Sequence, residues 1–394
     1  MSRAAASAAG RTGWSASPPA SPAAPRSRPA SGSSRTRCGS SSSASSAPPY
    51  RPTTCTAGRP SCSCRRTSWS GGLGEPDRPL VPVLVGPTGV GKTAVAAALG
   101  VRAPITVISA DARQVYRGLD IGTAKPPPEL QARVPHFGLD LIEPGERYSA
   151  GRFARDAAGW LGSVRAGGRE PVVVGGTGFY VRALAEGLFR EPPLDAARRE
   201  RLRIWGERLP AARLAHWAAR LDRRFAGGGR QRAARAIEVA LLSGRTLSWW
   251  QREARETGIM RPWYIHLTLP RDALHRRIAE RVDRMLAAGL VAEVRTLLAR
   301  GVAAHAPGLD GVGYREVVAT LERRLPEARL RDAVVAATRR YAKRQETWFR
   351  HQLRRQTSDV RHQSDDVWTI DATAPPEELA AMIHRRWCTT RADV

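Results

Sequence analysis

Residues Gly86-Pro87-Thr88-Gly89-Val90-Gly91-Lys92-Thr93 fit the spacing G-x-x-x-x-G-K-T, and each residue type in that pattern has a use. The glycines let the backbone curl until its N–H groups converge on an anion. Lys92 adds a point charge, and the Thr93 hydroxyl suits Mg²⁺. Asp111 stands further on, just after the apolar run Ile105-Thr106-Val107-Ile108. A hydrolase would use a carboxylate there to hold Mg²⁺ or orient water. A transferase would use it to take a proton from an incoming nucleophile, and at a helix start it would only cap the backbone. Spacing alone does not choose among the three.

These groups need elements to hold them. Val81-Pro82-Val83-Leu84-Val85 reads as a strand entering the loop, and residues 93–99 as the helix leaving it. Residues 105–108 form a second strand and 149–166 a helix. Pro171-Val172-Val173-Val174 is a third strand, followed by Gly175-Gly176-Thr177-Gly178 and a helix to about residue 188. This alternation predicts an α/β fold, a P-loop NTPase-like parallel sheet core flanked by helices, with active groups at the carboxyl ends of the strands. Residues 86–93, Asp111 and Thr177 all fall at such ends.

Between residues 191 and 262 the strand signals vanish and arginine density climbs, which predicts a mainly helical insertion domain around Gly227-Gly228-Gly229. Residues 264–269 then return to the sheet. Asp272 should cap a helix with Leu274, Ile278, Val282 and Met285 on its apolar face and Arg277, Arg281 and Arg284 beside it. A long helix over about 330–353 sets Val334, Thr338, Tyr341 and Trp348 on one side and Arg339, Lys343, Arg350 and Arg354 on another. A strand at 367–370 and a helix from Pro376 end the chain. The expected division is a low-complexity extension (1–78), the first part of the core (79–190), the insertion (191–262), the second part of the core with its basic helices (263–373), and a C-terminal helix and tail (374–394).

The formal charge is +27. Lys92, Lys125 and Lys343 are the only lysines among 63 basic residues, a ratio that partly reflects a GC-rich coding sequence. A field of this sign still favours a polyanion such as nucleic acid. Four of the five cysteines (Cys38, Cys55, Cys62, Cys64) precede the body, leaving it only Cys388. No disulfide framework is expected, and a cytoplasmic protein is. No apolar run nears the ~18 residues that span a bilayer. Residues 1–78 are Ser, Ala, Pro, Arg and Gly without period, too polar to offset the entropy of ordering. They suit a transit peptide, a basic RNA-binding tail, or a start assigned too early; the last is favoured because foldable sequence begins abruptly at Pro79. Cys55, Cys62 and Cys64 lack the further ligands of a metal site.

Six ordered blocks carry a resemblance: ISADARQVYRGLDIGTAKP (108–126), YSAGRF (148–153), VGGTGFY (174–180), RAIEV (235–239), GVGYRE (311–316) and AKRQETW (342–348). Across about residues 80–350 the chain resembles the tRNA dimethylallyltransferases. These enzymes place a five-carbon prenyl group on N6 of the adenine beside the anticodon, in tRNAs reading codons that begin with U. The resemblance implies that residues 86–93 cradle the pyrophosphate of dimethylallyl diphosphate with Mg²⁺ on Thr93, rather than hydrolysing ATP. It gives Asp111 the role of general base and places Lys92 and Arg281 at the diphosphate. As tRNA contacts it implies Asp111, Ala112, Arg113, Gln114, Thr177, Arg199, Gln231, Arg232, Asp310, Gly311, Val312, Gly313, Tyr314, Arg315, Lys343, Arg344 and Gln345. A monomer holding tRNA between core and insertion is the expected form.

The chain departs from the family pattern in three places. Ala112 stands where many relatives have Ser, Ala226-Gly227-Gly228-Gly229 where they have His-Pro-Asn-Asp, and Asp310-Gly311 where a basic or small residue is commoner. Other readings share the loop and the Asp111 block. An adenylate prenyltransferase would modify a free nucleotide, and a P-loop small-molecule kinase would transfer phosphate. A non-catalytic RNA-binding protein would have no need of an intact Gly-Lys-Thr and Asp111.

Overall fold

The strands are Val-rich and read as nearly continuous apolar runs, because a parallel sheet buries both of its faces. The computed structural model describes residues 78–190, 192–358 and 366–392; the expectations for the extension and its four cysteines lie outside them. In chain order the core opens with β1 (Leu80–Val85), α1 (Lys92–Arg102), β2 (Ile105–Ser109), α2 (Pro128–Arg133) and β3 (His136–Phe137). It continues with α3 (Ala150–Ala166), β4 (Glu170–Gly175) and α4 (Gly178–Glu186). Four helices follow, α5 (Ala196–Glu207), α6 (Ala211–Leu221), α7 (Arg230–Ser243) and α8 (Leu247–Glu253). The chain then re-enters the sheet with β5 (Arg261–Thr268) and continues through α9 (Arg271–Ala287), α10 (Leu290–Ala299), α11 (Tyr314–Leu321) and α12 (Leu330–Ser358). It ends with β6 (Val367–Asp371) and α13 (Pro376–Ala392).

The six strands are parallel, in the order β3-β2-β4-β1-β5-β6. Pro82 sits in the middle of this sheet, but the ladder to β4 begins only at Val83, so its missing N–H interrupts nothing there. Val85 is level with both Gly175 and His266, and Ser109 with Val174. The carboxyl ends of β1, β2, β4 and β5 therefore finish in one row, and the loops that leave them converge. One face of the sheet packs Leu84, Ile105, Val107, Trp263 and Ile265 under α1 and α13; the other packs Val83, Ile108, Val173 and Tyr264 under α3 and α4. A third cluster joins α9 to α12 around Val115, Leu119, Leu290 and Tyr314. Helices α5–α8 keep a small core of their own, with Leu214, Ala218, Ala236, Ile237 and Leu247.

Three details differ from the sequence reading. Asp272 does not cap α9: Pro270 occupies the cap, and Asp272 lies in the first turn, where a carboxylate complements the helix dipole without closing a bond. The C-terminal helix is more than a tail, since Leu379, Ala380, Ile383 and Trp387 of α13 join the core over α1. The short β3 and α2 carried too few residues for any period to show.

Candidate active site

The loop 86–93 leaves β1 with Gly86, Gly89 and Gly91 at φ +148°, +86° and +105°, conformations that side-chain-bearing residues rarely adopt. At Gly86 space also forbids a side chain, because a Cβ would lie 2.5 Å from the Leu267 carbonyl oxygen of β5. The loop wraps onto the start of α1, whose first turn holds Lys92 and Thr93. The Lys92 Nζ donates to the Gly86 and Pro87 carbonyls at 2.9 and 2.8 Å. Burial pulls its pKa down to about 8, against the opposing pull of the Asp111 carboxylate. The ammonium is held over its own loop with little water around it, so an incoming anion meets a weakly hydrated cation.

Asp111 follows β2 directly. Its Oδ1 accepts from the Arg113 N–H at 2.9 Å, which leaves Oδ2 without a hydrogen-bond partner among the described residues. Thr177, at the start of α4, accepts from the Ala112 N–H through Oγ1 at 3.0 Å. The Ala112 departure therefore leaves the backbone link intact. The Ala110 N–H donates to the Val174 carbonyl and the Thr177 N–H to the Ala110 carbonyl, at 2.8 and 3.1 Å. The ends of β2 and β4 are thereby laced together, and Asp111 cannot swing as a free loop residue would.

Two cavities meet at Asp111. A small one of about 40 Å³ is lined by Thr93, Ser109, Asp111, Gln114 and His136. Its hydroxyl, amide and carboxylate oxygens are the hard donors that Mg²⁺ prefers, so these residues fit that ion. The larger, about 220 Å³, runs from Thr88 and Asp111 to Arg281, Asp310, Tyr341 and Arg344. Arg281 reaches it from α9 and donates to the Thr123 carbonyl at 3.4 Å; burial lowers its pKa, opposed by Asp111. Tyr341 is pushed up to about 12 by burial and then by the same carboxylate. The three arginines of the α9 stripe part company here. Arg277 donates to the Val90 carbonyl at 3.3 Å, Arg281 enters the cavity, and Arg284 stays exposed.

The structure brings most of the expected site residues together and removes two from the surface. Tyr314 is 1 % exposed and donates to Glu293 Oε1 at 2.6 Å while its oxygen accepts from the Gly122 N–H at 3.0 Å. It braces the wall formed by residues 120–122 from inside the protein. Gln345 is 6 % exposed and is bonded to Thr88 and Gly176, so it too faces inward. Asp310, Val312, Gly313 and Arg315 line the larger cavity beside Arg113, while Gly311 is buried. The Asp310 departure is matched by Arg113, 3.9 Å away. Lys343 and Arg344 are exposed on α12. Arg199, Gln231 and Arg232 lie in the insertion, with Arg199 bound to Glu238 at 2.8 Å. Sequence reasoning missed Glu293, whose carboxylate accepts the Asp120, Ile121 and Gly122 N–H groups; nothing around it in the sequence marks that role.

A central strand delivering a glycine-rich phosphate loop, with a carboxylate at the next strand end, defines an α/β enzyme of the P-loop NTPase-like class. The family model described as IPP transferase matches residues 114–352, and that described as isopentenyl transferase matches residues 79–134. The chain belongs to the IPP transferase family. It is 44 % identical over 294 residues to a tRNA dimethylallyltransferase of Halorhodospira halophila, covering 72 % of this chain and 94 % of the relative. A second, from Alkalilimnicola ehrlichii, is 43 % identical over 292 residues, covering 71 % and 90 %. Among solved structures, a tRNA isopentenylpyrophosphate transferase from Bacillus halodurans superposes with TM-score 0.57 at 31 % identity, over 79 % of this chain and 96 % of that one. A eukaryotic dimethylallyltransferase acting on tRNA shares the fold, with TM-score 0.63 at 23 % identity, over 79 % and 80 %.

Proposed function

We infer that this protein is a tRNA dimethylallyltransferase, moving the dimethylallyl group of dimethylallyl diphosphate to N6 of the adenine beside the anticodon. The observation that carries the reading is the position of Asp111 on the wall shared by the small cavity at Thr93 and the larger cavity that runs from Thr88 to Arg281, Tyr341 and Arg344. The diphosphate lies along residues 86–93, where N–H groups and Lys92 face the charge that builds as the allylic C–O bond breaks. Arg281 adds a second cation at the same end. Thr93, at the small cavity beside Asp111, would hold Mg²⁺; when bound, the ion offsets further charge on the leaving group.

The adenine N6 is a poor nucleophile because its lone pair is delocalised into the ring. As the N6–C1 bond forms and the C1–O bond breaks, Oδ2 of Asp111 takes the N6 proton and pyrophosphate departs with the bonding electrons. Stacked in its loop, the base could not reach this carboxylate. It must turn out into the larger cavity, at a cost of a few kcal/mol. The exposed Arg340, Lys343 and Arg344 of α12 and the exposed Gln231 and Arg232 of α7 are placed to position tRNA through its backbone rather than to read sequence. None of the helices in the described residues is long and apolar enough to cross a membrane, and the reading places a monomeric enzyme in the cytoplasm.

The test is incubation of the protein with labelled dimethylallyl diphosphate, Mg²⁺ and either unmodified tRNA or AMP. Label in tRNA is expected. Label in AMP alone would replace the reading with a free-nucleotide prenyltransferase, and phosphate transfer from ATP without prenylation would replace it with a kinase.

A further inference from the structure

Helix α12 has two working faces. On the outer one Arg340, Lys343, Arg344 and Thr347 border a groove of about 620 Å³. On the inner one Gln345 lies buried against two strand ends. Its Oε1 accepts from the Thr88 N–H of the phosphate loop at 2.8 Å, and its Nε2 donates to the Gly176 carbonyl after β4 at 2.9 Å. The fit is tight: a Cβ on Gly176 would come within 2.2 Å of that nitrogen. One turn further on, Trp348 covers Gly178 so closely that a Cβ there would lie 2.1 Å from its ring. The helix is thus keyed into the start of α4 and cannot slide without carrying the amide with it.

A buried primary amide with both groups satisfied holds its neighbours to one geometry, because losing either bond strands a buried polar partner. Here the neighbours are the loop that cradles the anion and the turn that carries Thr177. We propose that Gln345 is a positioning residue of the diphosphate site, through which seating of RNA on the outer face of α12 sets the conformation of the phosphate loop. The inference rests on the functional reading above and adds to it a link between the two substrates. RNA seated on α12 acts on Thr88 through the amide, and a bound diphosphate acts on α12 in return, since such coupling is reciprocal.

The test is calorimetric titration of the full-length protein with inorganic pyrophosphate and Mg²⁺, with and without an unmodified anticodon stem-loop RNA. For the unaltered protein RNA should tighten pyrophosphate binding about tenfold, within the usual range of coupling between sites. In Gln345→Met, which keeps the volume and removes both bonds, the two affinities should agree within twofold, while RNA alone binds within threefold of the unaltered protein. Gln345→Glu keeps an acceptor for Thr88 and should show weakened but measurable coupling. Coupling absent from the unaltered protein, or undiminished in Gln345→Met, would overturn the link. If Gln345→Met does not fold, Gln345→Glu decides: coupling equal to that of the unaltered protein overturns the link, and weaker coupling supports it. Failure of the unaltered protein to bind either ligand would overturn the functional reading itself, and this inference with it.

Discussion

The sheet core and the insertion α5–α8 hold their polar residues in opposite ways. In the core the groups around the phosphate loop are fixed by several bonds each. Thr177 is tied to Ala112 and to Ala110, Gln345 to two strand ends, and Gly86 is pressed against the β5 backbone. In the insertion several arginines stand on the outside of a thin core and pair with carboxylates on their own or a neighbouring helix. Arg203 with Glu200 and Glu207, and Arg199 with Glu238, are examples. Bond-making chemistry needs reacting atoms held to fractions of an ångström, whereas a polyanion can be gripped by side chains that adjust. The difference teaches which changes should stop turnover and which should only loosen RNA.

The largest effect should come from Asp111→Asn. Loss of the proton acceptor should lower kcat by about 10²- to 10⁴-fold, while tRNA affinity, measured by filter binding, stays within a few-fold. The asparagine can still accept from the Arg113 N–H, so the turn should survive. A collapse of RNA binding would instead make Asp111 part of the grip and blur the contrast between the regions.

The core also contains a half-buried group that the proposed chemistry does not use. His266, on β5 level with Val85, has an Nε2 with no hydrogen-bond partner among the described residues. Burial lowers its pKa to about 4, and the charges of Arg350 and Lys92 push the same way; the Phe349 ring covers it at 6.1 Å. A histidine that must fold neutral contributes fully above its unfolded pKa near 6.5, and loses that contribution as pH falls towards 4. The loss should reach about 3 kcal/mol. Urea titrations at pH 7 and pH 4.5 should show His266→Phe losing less stability on acidification than the unaltered protein. Equal losses would mean that the ring takes up its proton in place.

Much of the core was legible because its signals are local. The G-x-x-x-x-G-K-T spacing, the Val-rich strands and the Asp111 that follows β2 all announce themselves within a few residues. What was not legible shares one cause. Tyr314 and Gln345 lie in blocks that the family resemblance assigns to RNA contact, and a helix exposes one neighbour while burying the next. Only packing decides that Arg344 faces the cavities and Gln345 the phosphate loop. Glu293 was invisible for a related reason: apart from the Tyr314 hydroxyl, its partners are the N–H groups of residues 120–122, and backbone has no sequence signature. The insertion shows the converse, since its helical character could be read while the pairing of Arg199 with Glu238, which crosses from α5 to α7, could not.

The insertion has one buried polar anchor, and removing it should separate the two regions. Asp222 is 3 % exposed and accepts from the Ser248 N–H and hydroxyl at 2.9 and 2.7 Å and from the Arg224 N–H at 3.0 Å. It ties the end of α6 to the start of α8. Asp222→Ala strands these donors and should destabilise the insertion by about 2 kcal/mol. Pyrophosphate binding should be unchanged, and tRNA binding should weaken at elevated temperature, where the insertion opens first. Parallel loss of both ligands would show that the regions unfold as one.

The smallest effects should discriminate best within the insertion. Arg199 and Arg232 both carry charge on its surface, but only Arg199 is held, by Glu238, which Arg235 also engages. Removing Arg199 leaves Glu238 partnered, so Arg199→Ala should change the melting free energy by less than about 1 kcal/mol. A guanidinium already neutralised by a carboxylate releases few counterions from RNA. The salt dependence of tRNA binding should therefore barely move. Arg232 sits in the first turn of α7, exposed, its aliphatic stem packed within reach of Gly228. Arg232→Ala should weaken tRNA uniformly and reduce the slope of log K against log salt by about one, the signature of one lost phosphate contact. If the two variants exchange these signatures, Arg199 leaves Glu238 when RNA arrives, and the ion pairs of the insertion are a resting state of the grip rather than part of its architecture.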